Sequence, residues 1–352
     1  MTWLPWFPYQ SKVTNQFGHQ VYIFLSSYKP LLYSKFILNT IFVAENLSVP
    51  DFKCLSQFLQ SQTLIFSDFS SPALRGNLSS HLYGQHLVED TLFRSLNGHV
   101  TYGSDKPLVF SFHGSCGTGK SFVSKLIAKS WFKRGIYSNF FNLMIGTKDF
   151  PFKSNTSMYK QYIQSKIEYQ VRKCPHQLFV FKKWIFPPGL LNALTPFLTS
   201  YDVVDGVDYR KSIFILISNT GQGSINKLTK DNYIQKLSRE SLTMKVIEEV
   251  LEEEIYQSSN TGLSNSKLID KFYISYFLPF LPLEKTHVRK CIARTLRQRL
   301  GNSFQRDLVD DVMEELSFHD PDQNFSHKGC KNVDEKVNYI LGRDVLKQKL
   351  EL

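Results

Sequence analysis

The sequence predicts an α/β protein in which a parallel sheet is covered by helices on both faces and carries a small helical part at its C-terminal end. Three observations lead there. Apolar runs of strand length recur about every 30 to 40 residues, as expected for strands buried on both faces, at 108–112, 139–145, 178–181 and 212–220. Most of the segments between them carry apolar residues at helical spacing. From about residue 266 the strand-like runs give way to successive helical patterns. The implied division is a leader or extension over 1–45, a sheet domain over 46–265 and a helical domain over 266–352.

The first run, Leu108, Val109, Phe110 and Phe112, is followed by the glycine-rich stretch "HGSCGTGKS". After it Phe122/Val123, Leu126/Ile127 and Ser130/Trp131 recur at helical spacing, with Gly135 as the C-cap. "NFFNLMI" (139–145) reads as a second strand, and "NTSMYKQYIQSKIEYQV" (155–171) as a helix with Met158, Tyr162 and Ile167 among its apolar positions. Leu178–Phe181 and "SIFILISNT" (212–220) are further strands, the latter ending in Ser218-Asn219. "LTMKVIEEVLEEEIY" (242–256) is an amphipathic helix with Leu242, Val246, Val250 and Leu251 on one face. Beyond 266, "KLIDKFYISYFLPFLPLEKTHVRKCIARTLRQRL", "RDLVDDVMEELSF" and "KNVDEKVNYILGRDVLKQKL" read as helices.

Gly114 to Ser121 fit G-x-x-x-x-G-K-[ST] in the strand–loop–helix context that the motif needs. Glycines let backbone N–H groups turn inward around phosphate oxygens, and the helix N-terminus adds a favourable dipole. Gly114, Ser115, Cys116, Gly117, Thr118 and Gly119 would form the cradle. Lys120 would reach the β- and γ-phosphates, and Ser121 would hold Mg²⁺ through the nucleotide.

The chain of 352 residues is 42% apolar and carries 42 Lys+Arg against 31 Asp+Glu, a formal charge of +11. Such a balance favours anionic partners and says little of fold. No run approaches the roughly 18 apolar residues of a transmembrane helix. "LLYSKFILNTIFVA" (31–44) is read either as the apolar stretch of a signal peptide with Ala44 at the cleavage point, or as a buried extension; Lys35 interrupts it. The five cysteines, at 54, 116, 174, 291 and 330, lack metal-ligand spacing. Sequons at Asn46, Asn77, Asn155 and Asn324 are glycosylation candidates, and the terminal Lys349-Leu350-Glu351-Leu352 differs from the ER-retention tetrapeptide only at its second position. These clues lean together towards a secretory-pathway lumen.

Six blocks in order, "LYGQHL" (82–87), "HGSCGTGKSFVSKLIA" (113–128), "PPGLL" (187–191), "VVDGVDYRKSIFILISN" (203–219), "YFLPFLPLEKTHV" (276–288) and "FSHKGCK" (325–331), resemble the torsins, AAA+ ATPases of the endoplasmic reticulum lumen and nuclear envelope. The resemblance implies a five-stranded parallel AAA+ sheet with a helical small domain, ATP and Mg²⁺ as cofactors, Asn219 at the sensor-1 position and Lys331 at sensor-2. It implies a disulfide between Cys291 and Cys330 and a second pair, Cys54 with Cys174. It also implies protein clients, assembly with copies of itself or other torsins, and a membrane-anchored lumenal activator that supplies the arginine finger. Two positions depart from the family: Cys116, where torsins commonly carry threonine, leaves an odd thiol by the phosphates, and Ser121 stands where torsins usually have asparagine.

The third departure concerns chemistry. In AAA+ proteins the strand matching Leu178–Phe181 ends in Asp-Glu, which hold Mg²⁺ and polarise the attacking water. Here Lys182 and Lys183 follow, and no Asp or Glu occurs between Glu168 and Asp202. A unit charge pair about 4 Å apart is worth roughly 4 kcal/mol at an effective dielectric near 20. Exchanging carboxylate for ammonium swings that by about twice as much, and a quarter of the swing slows turnover about 30-fold. A protonated lysine also cannot accept a proton from water. The sequence therefore predicts a torsin-like protein that binds ATP and remodels or scaffolds partners, with impaired hydrolysis. One alternative is an active torsin ATPase whose carboxylate-bearing segment was lost from the gene model around 170–195. Another is a nucleic-acid-associated AAA+ protein, suggested by Arg289, Lys290, Arg294, Arg297 and Arg299. Helical spacing spreads these five over more than one face, so no nucleic acid is expected as a partner.

Overall fold

The alternation of buried side chains on five short strands organises this chain. A computed structural model describes residues 10–14, 20–24, 71–182, 186–257, 267–270, 272–302, 304–319 and 321–350. Asn46, Cys54, Lys183 and the stretch 31–44, singled out in the sequence, lie outside these residues.

An N-terminal unit contains β1 (Gln10–Thr14) and β2 (Gln20–Phe24), paired antiparallel with Gln10 opposite Phe24. The second unit begins with two helices, α1 (Ser71–His81) and α2 (His86–Tyr102). β3 (Leu108–Gly114) leads into α3 (Lys120–Trp131), then β4 (Phe141–Ile145), α4 (Thr156–Lys173) and β5 (Leu178–Lys182). After β6 (Ile213–Ile217) come α5 (Gln222–Ile234), α6 (Met244–Gln257) and β7 (Tyr276–Phe280). The sheet is five-stranded and parallel, in the order β4-β5-β6-β3-β7.

Successive strand residues point to opposite faces, which produces two cores. Leu178 and Val180, Ile213, Ile215 and Ile217, and Phe110 and Phe112 pack with α1, α2 and α3. Phe179 and Phe181, Phe214 and Leu216, and Val109 pack with α4, α5 and α6. β3, β5 and β6 are near-continuous in apolar residues because neither of their faces meets water, whereas Leu143 on the edge strand β4 is exposed.

The third core belongs to a helical part built from α7 (Lys285–Leu300), α8 (Asp307–Glu314), the two-residue strands β8 (Phe318–His319) and β9 (Phe325–Ser326), and α9 (Val333–Leu350). Leu283, Val288, Ile292, Leu296, Val312, Val333, Val337 and Ile340 form its interior.

Four expectations are corrected. The stretch read as helical contributes to the sheet: Leu268 and Ile269 join the α4–α6 core, and "YFLPF" is the strand β7. It reads as helical from spacing, but Pro279 is accommodated because β7 is an edge strand, where proline is tolerated. In α4 the buried stripe is Tyr159, Ile163, Ile167 and Val171, while Met158 and Tyr162 are exposed. In α6 it is Ile247, Leu251 and Ile255, with Val246 exposed, because the helix turns the four-residue ridge toward the sheet. α3 ends at Trp131, and Gly135, at φ 53°, serves the following turn.

Leu251, fully buried against Gly221, and Val246 test the α6 register. Leu251→Ala should cost about 2–5 kcal/mol and Val246→Ala less than about 0.5 kcal/mol, measured by urea unfolding.

Candidate functional site

A cleft of about 480 Å³ lies between the end of the sheet and the helical part. Its floor is the loop between β3 and α3. Gly114 has φ 129° and a Cβ there would stand 2.3 Å from the Phe280 carbonyl oxygen, so the loop leaves the strand only as glycine. Lys120 is buried, and its Nζ donates to the Gly114 and Ser115 carbonyls at 2.5 and 2.6 Å. Burial disfavours its charged form and pulls its pKa from 10.5 down to about 8. Thr118 Oγ1 donates to the Ser115 carbonyl, and the Ser115 hydroxyl exchanges hydrogen bonds with Asn226 of α5.

Gln85, from "LYGQHL", is buried and donates to the carbonyls of Thr118 (3.1 Å) and Leu281 (2.8 Å), while accepting from Leu281 N–H (2.8 Å). One amide thus ties the loop to the end of β7. His113, fully buried, contacts Ser111 Oγ through Nε2 and the Thr220 carbonyl through Nδ1. Burial drives its pKa down to about 4, so it stays neutral.

The helical part closes the cleft through backbone. Cys330 N–H donates to the Gly117 carbonyl at 3.1 Å. A Cβ at Gly117 would stand 1.7 Å from the Lys328 carbonyl oxygen, and one at Gly329 2.4 Å from that of Gly117. The joint behind is pinned by Arg239, which donates to the Gly84 and Pro282 carbonyls and pairs with Glu284 at 2.9 Å, both side chains largely buried.

Of the residues singled out in the sequence, Cys116, Gly117, Thr118, Gly119, Lys120, Ser121, Lys182, Asn219, Lys331, Cys291 and Cys330 all line this cleft. Cys291 and Cys330 are bonded to each other, and Cys116 is a free thiol. Cys174 is buried and disulfide-bonded. The candidate glycosylation sites Asn155 and Asn324 are half-buried. So is Asn77, which lies inside α1 and donates from Nδ2 to Ser130 Oγ at 3.3 Å.

Strand alternation puts Lys182 on the α3 face of β5, in register with Ile217. Among the described residues it has no ion-pair or hydrogen-bond partner. Arg294 was not assigned to the site by sequence, being one of five basic residues on α7. It stacks over the Phe122 ring at 4.7 Å, and its Nε is buried without a hydrogen-bond partner. Arg289, by contrast, turns away to pair with Asp310. Lys120, Lys182, Arg294 and Lys331 thus face one cleft against a single lining carboxylate, Asp334, which accepts a hydrogen bond from Thr295.

A model described as Torsin matches residues 55–181, ending one residue before Lys182, and one described as Torsin-1A, C-terminal domain, matches 283–340. A torsin-like protein of Caenorhabditis elegans is 38% identical over 281 residues, covering 78% of this chain and 79% of that one. The chain belongs to the torsin family. Among solved structures, the S. cerevisiae Hsp104–ADP complex matches with a TM-score of 0.56 at 15% identity over 83% of this torsin and 50% of the Hsp104 chain. A closed-state Hsp104 complex with ATPγS and FITC-casein matches with a TM-score of 0.51 at 15% identity, covering 79% and 47%. This torsin therefore has the AAA+ fold, and spans about half of those Hsp104 chains.

Torsin membership implies nucleotide and Mg²⁺ use in general. The glycine cradle and the four cations fit a nucleotide's phosphates. They fit a divalent cation poorly: the carboxylate expected at the end of β5 is replaced by the Lys182 ammonium, and among the described residues Asp334 of the helical part is the one lining carboxylate.

Gly329→Ala should separate the helical part from the loop, lowering stability by about 1–3 kcal/mol in thermal unfolding. The unfolded chain keeps the Lys120 proton to about pH 10.5 and the folded chain only to about 8. Between these values folding without ligand therefore gains stability as pH rises. Phosphate binding needs the ammonium, so ATP affinity should fall as pH passes about 8, approaching tenfold per unit, by calorimetry.

Proposed function

We propose that this torsin-family protein binds ATP in the cleft between sheet and helical part and hydrolyses it poorly, acting as a nucleotide-dependent binding subunit for protein partners. The observation that carries this reading is the position of Lys182. It lies in the same cleft as Lys120, Ser121 and Asn219, at the strand end where AAA+ proteins place the metal-holding carboxylate. Lys120 would hold the β- and γ-phosphates, Lys331 would bring the helical part's charge to them, and Asn219 would orient a water that no neighbouring carboxylate polarises.

The setting we assign is the endoplasmic reticulum lumen or perinuclear space. It is supported by the Cys291–Cys330 disulfide, since such bonds persist in oxidising compartments. There a membrane-anchored activator supplying an arginine finger, other torsin chains and protein clients would be the partners. The active-ATPase alternative, with its carboxylates lost from the gene model, predicts a transcript that encodes them.

The test is ATP binding and phosphate release by the purified chain, with and without a lumenal activator domain, beside the double variant Lys182→Asp, Lys183→Glu. The expected outcome is binding by both, with release from the native sequence at least about 30-fold below that of the variant. Native turnover at ordinary AAA+ rates on adding activator would overturn the proposal.

A further inference from the structure

We propose that this cleft binds the nucleoside triphosphate without a divalent cation, the Lys182 ammonium taking the metal's place against the phosphate oxygens. The inference rests on the nucleotide binding proposed above and adds the ionic form of the ligand.

A protein-assisted Mg²⁺ site needs hard oxygen donors, usually one or two carboxylates beside the phosphates. Among the described residues lining the cleft, Asp334 is the one carboxylate; the other side-chain oxygens are neutral, the hydroxyls of Tyr83, Thr118, Ser121 and Thr295 and the amides of Asn219 and Gln298. Asp334 belongs to the first turn of α9 in the helical part and is engaged by Thr295 at 3.0 Å. Among the described residues, no group of three His, Cys, Asp or Glu side chains is arranged to hold a metal.

What the cleft has instead is cationic nitrogen. Lys182 is half-buried, and neither it nor Lys331 has a carboxylate partner among the described residues. Arg294 is held over Phe122 with its Nε unpaired. Lys182 and Arg294 are half-buried and Lys331 is exposed, and like charges gathered at one cleft call for an anion between them. A triphosphate satisfies that need directly. A triphosphate already carrying Mg²⁺ brings less negative charge and sets a dication beside Lys182, so the two compete for the same oxygens.

The reverse dependence on metal follows, and is measured by titrating the full-length protein with ATP in excess EDTA and again in excess MgCl₂ at matched ionic strength. The native chain is expected to bind in EDTA at least as tightly as in MgCl₂. Lys182→Gln, which keeps the stem and removes the charge, should weaken binding in EDTA about tenfold or more, the worth of one charged hydrogen bond. Lys182→Asp should reverse the preference, binding better with MgCl₂. Thermal unfolding without nucleotide checks that each variant is folded; if the aspartate variant is not, the glutamine variant carries the comparison. Native binding that weakens tenfold or more in EDTA, or a glutamine variant that binds in EDTA like the native chain, would overturn the inference and leave the nucleotide site standing. No binding of ATP in either condition would instead remove the nucleotide site itself.

Discussion

The meeting of two backbone segments, Gly117 in the loop after β3 and Gly329 before the disulfide, is the constraint on which the rest of the site depends. Neither position has room for a methyl group, and one N–H···O bond from Cys330 to Gly117 closes the contact. Because it is backbone on backbone, it fixes the helical part to the phosphate loop more tightly than interlocking side chains would. Arg294 and Cys291 of α7, and Cys330 and Lys331 of the turn before α9, are positioned relative to the loop through it. Arg239 supplies the second anchor, spanning Gly84, Pro282 and Glu284 behind the joint.

Electrostatics gives this frame its character. A torsin sheet that ends in carboxylates would mix charges around the phosphates; this one ends in Lys182 and faces Arg294 and Lys331. Like charges gathered in one cleft repel without a counter-charge between them. On the function proposed above, the arrangement would trade the means of activating water for a stronger hold on anions, which would suit a subunit that signals occupancy more than one that turns over.

Much of this was legible in the sequence because local rules and tertiary context agree. The loop from Gly114 to Ser121 announces itself by spacing, and the strands of β3, β5 and β6 by uninterrupted apolar runs. The replacement at Lys182 was readable because strand and motif order leave its position no freedom. Where several placements satisfy the same pattern, the sequence is silent. "YFLPF" is equally apolar as helix or strand, and only pairing with β3 makes it an edge. Met158 and Tyr162 look like core residues but sit one step off the buried ridge of α4. Arg294 is one basic residue among five on α7, and its direction is set by Phe122 on another element. The tie made by Gln85 joins residues 33 and 196 positions apart, a relation that no local signal reports.

The grip of the loop on its own lysine has a consequence for selectivity. The Lys120 ammonium rests on two peptide oxygens, Gly114 and Ser115, in a buried position that already disfavours its charge. Any visitor must outbid those oxygens, so neutral polar molecules and weakly charged carboxylates gain little by entering. Groups of high charge density gain most. In the nucleotide binding proposed above, the loop would therefore sort its ligands by concentrated negative charge before any base or sugar is inspected, with the chain's own backbone setting the threshold.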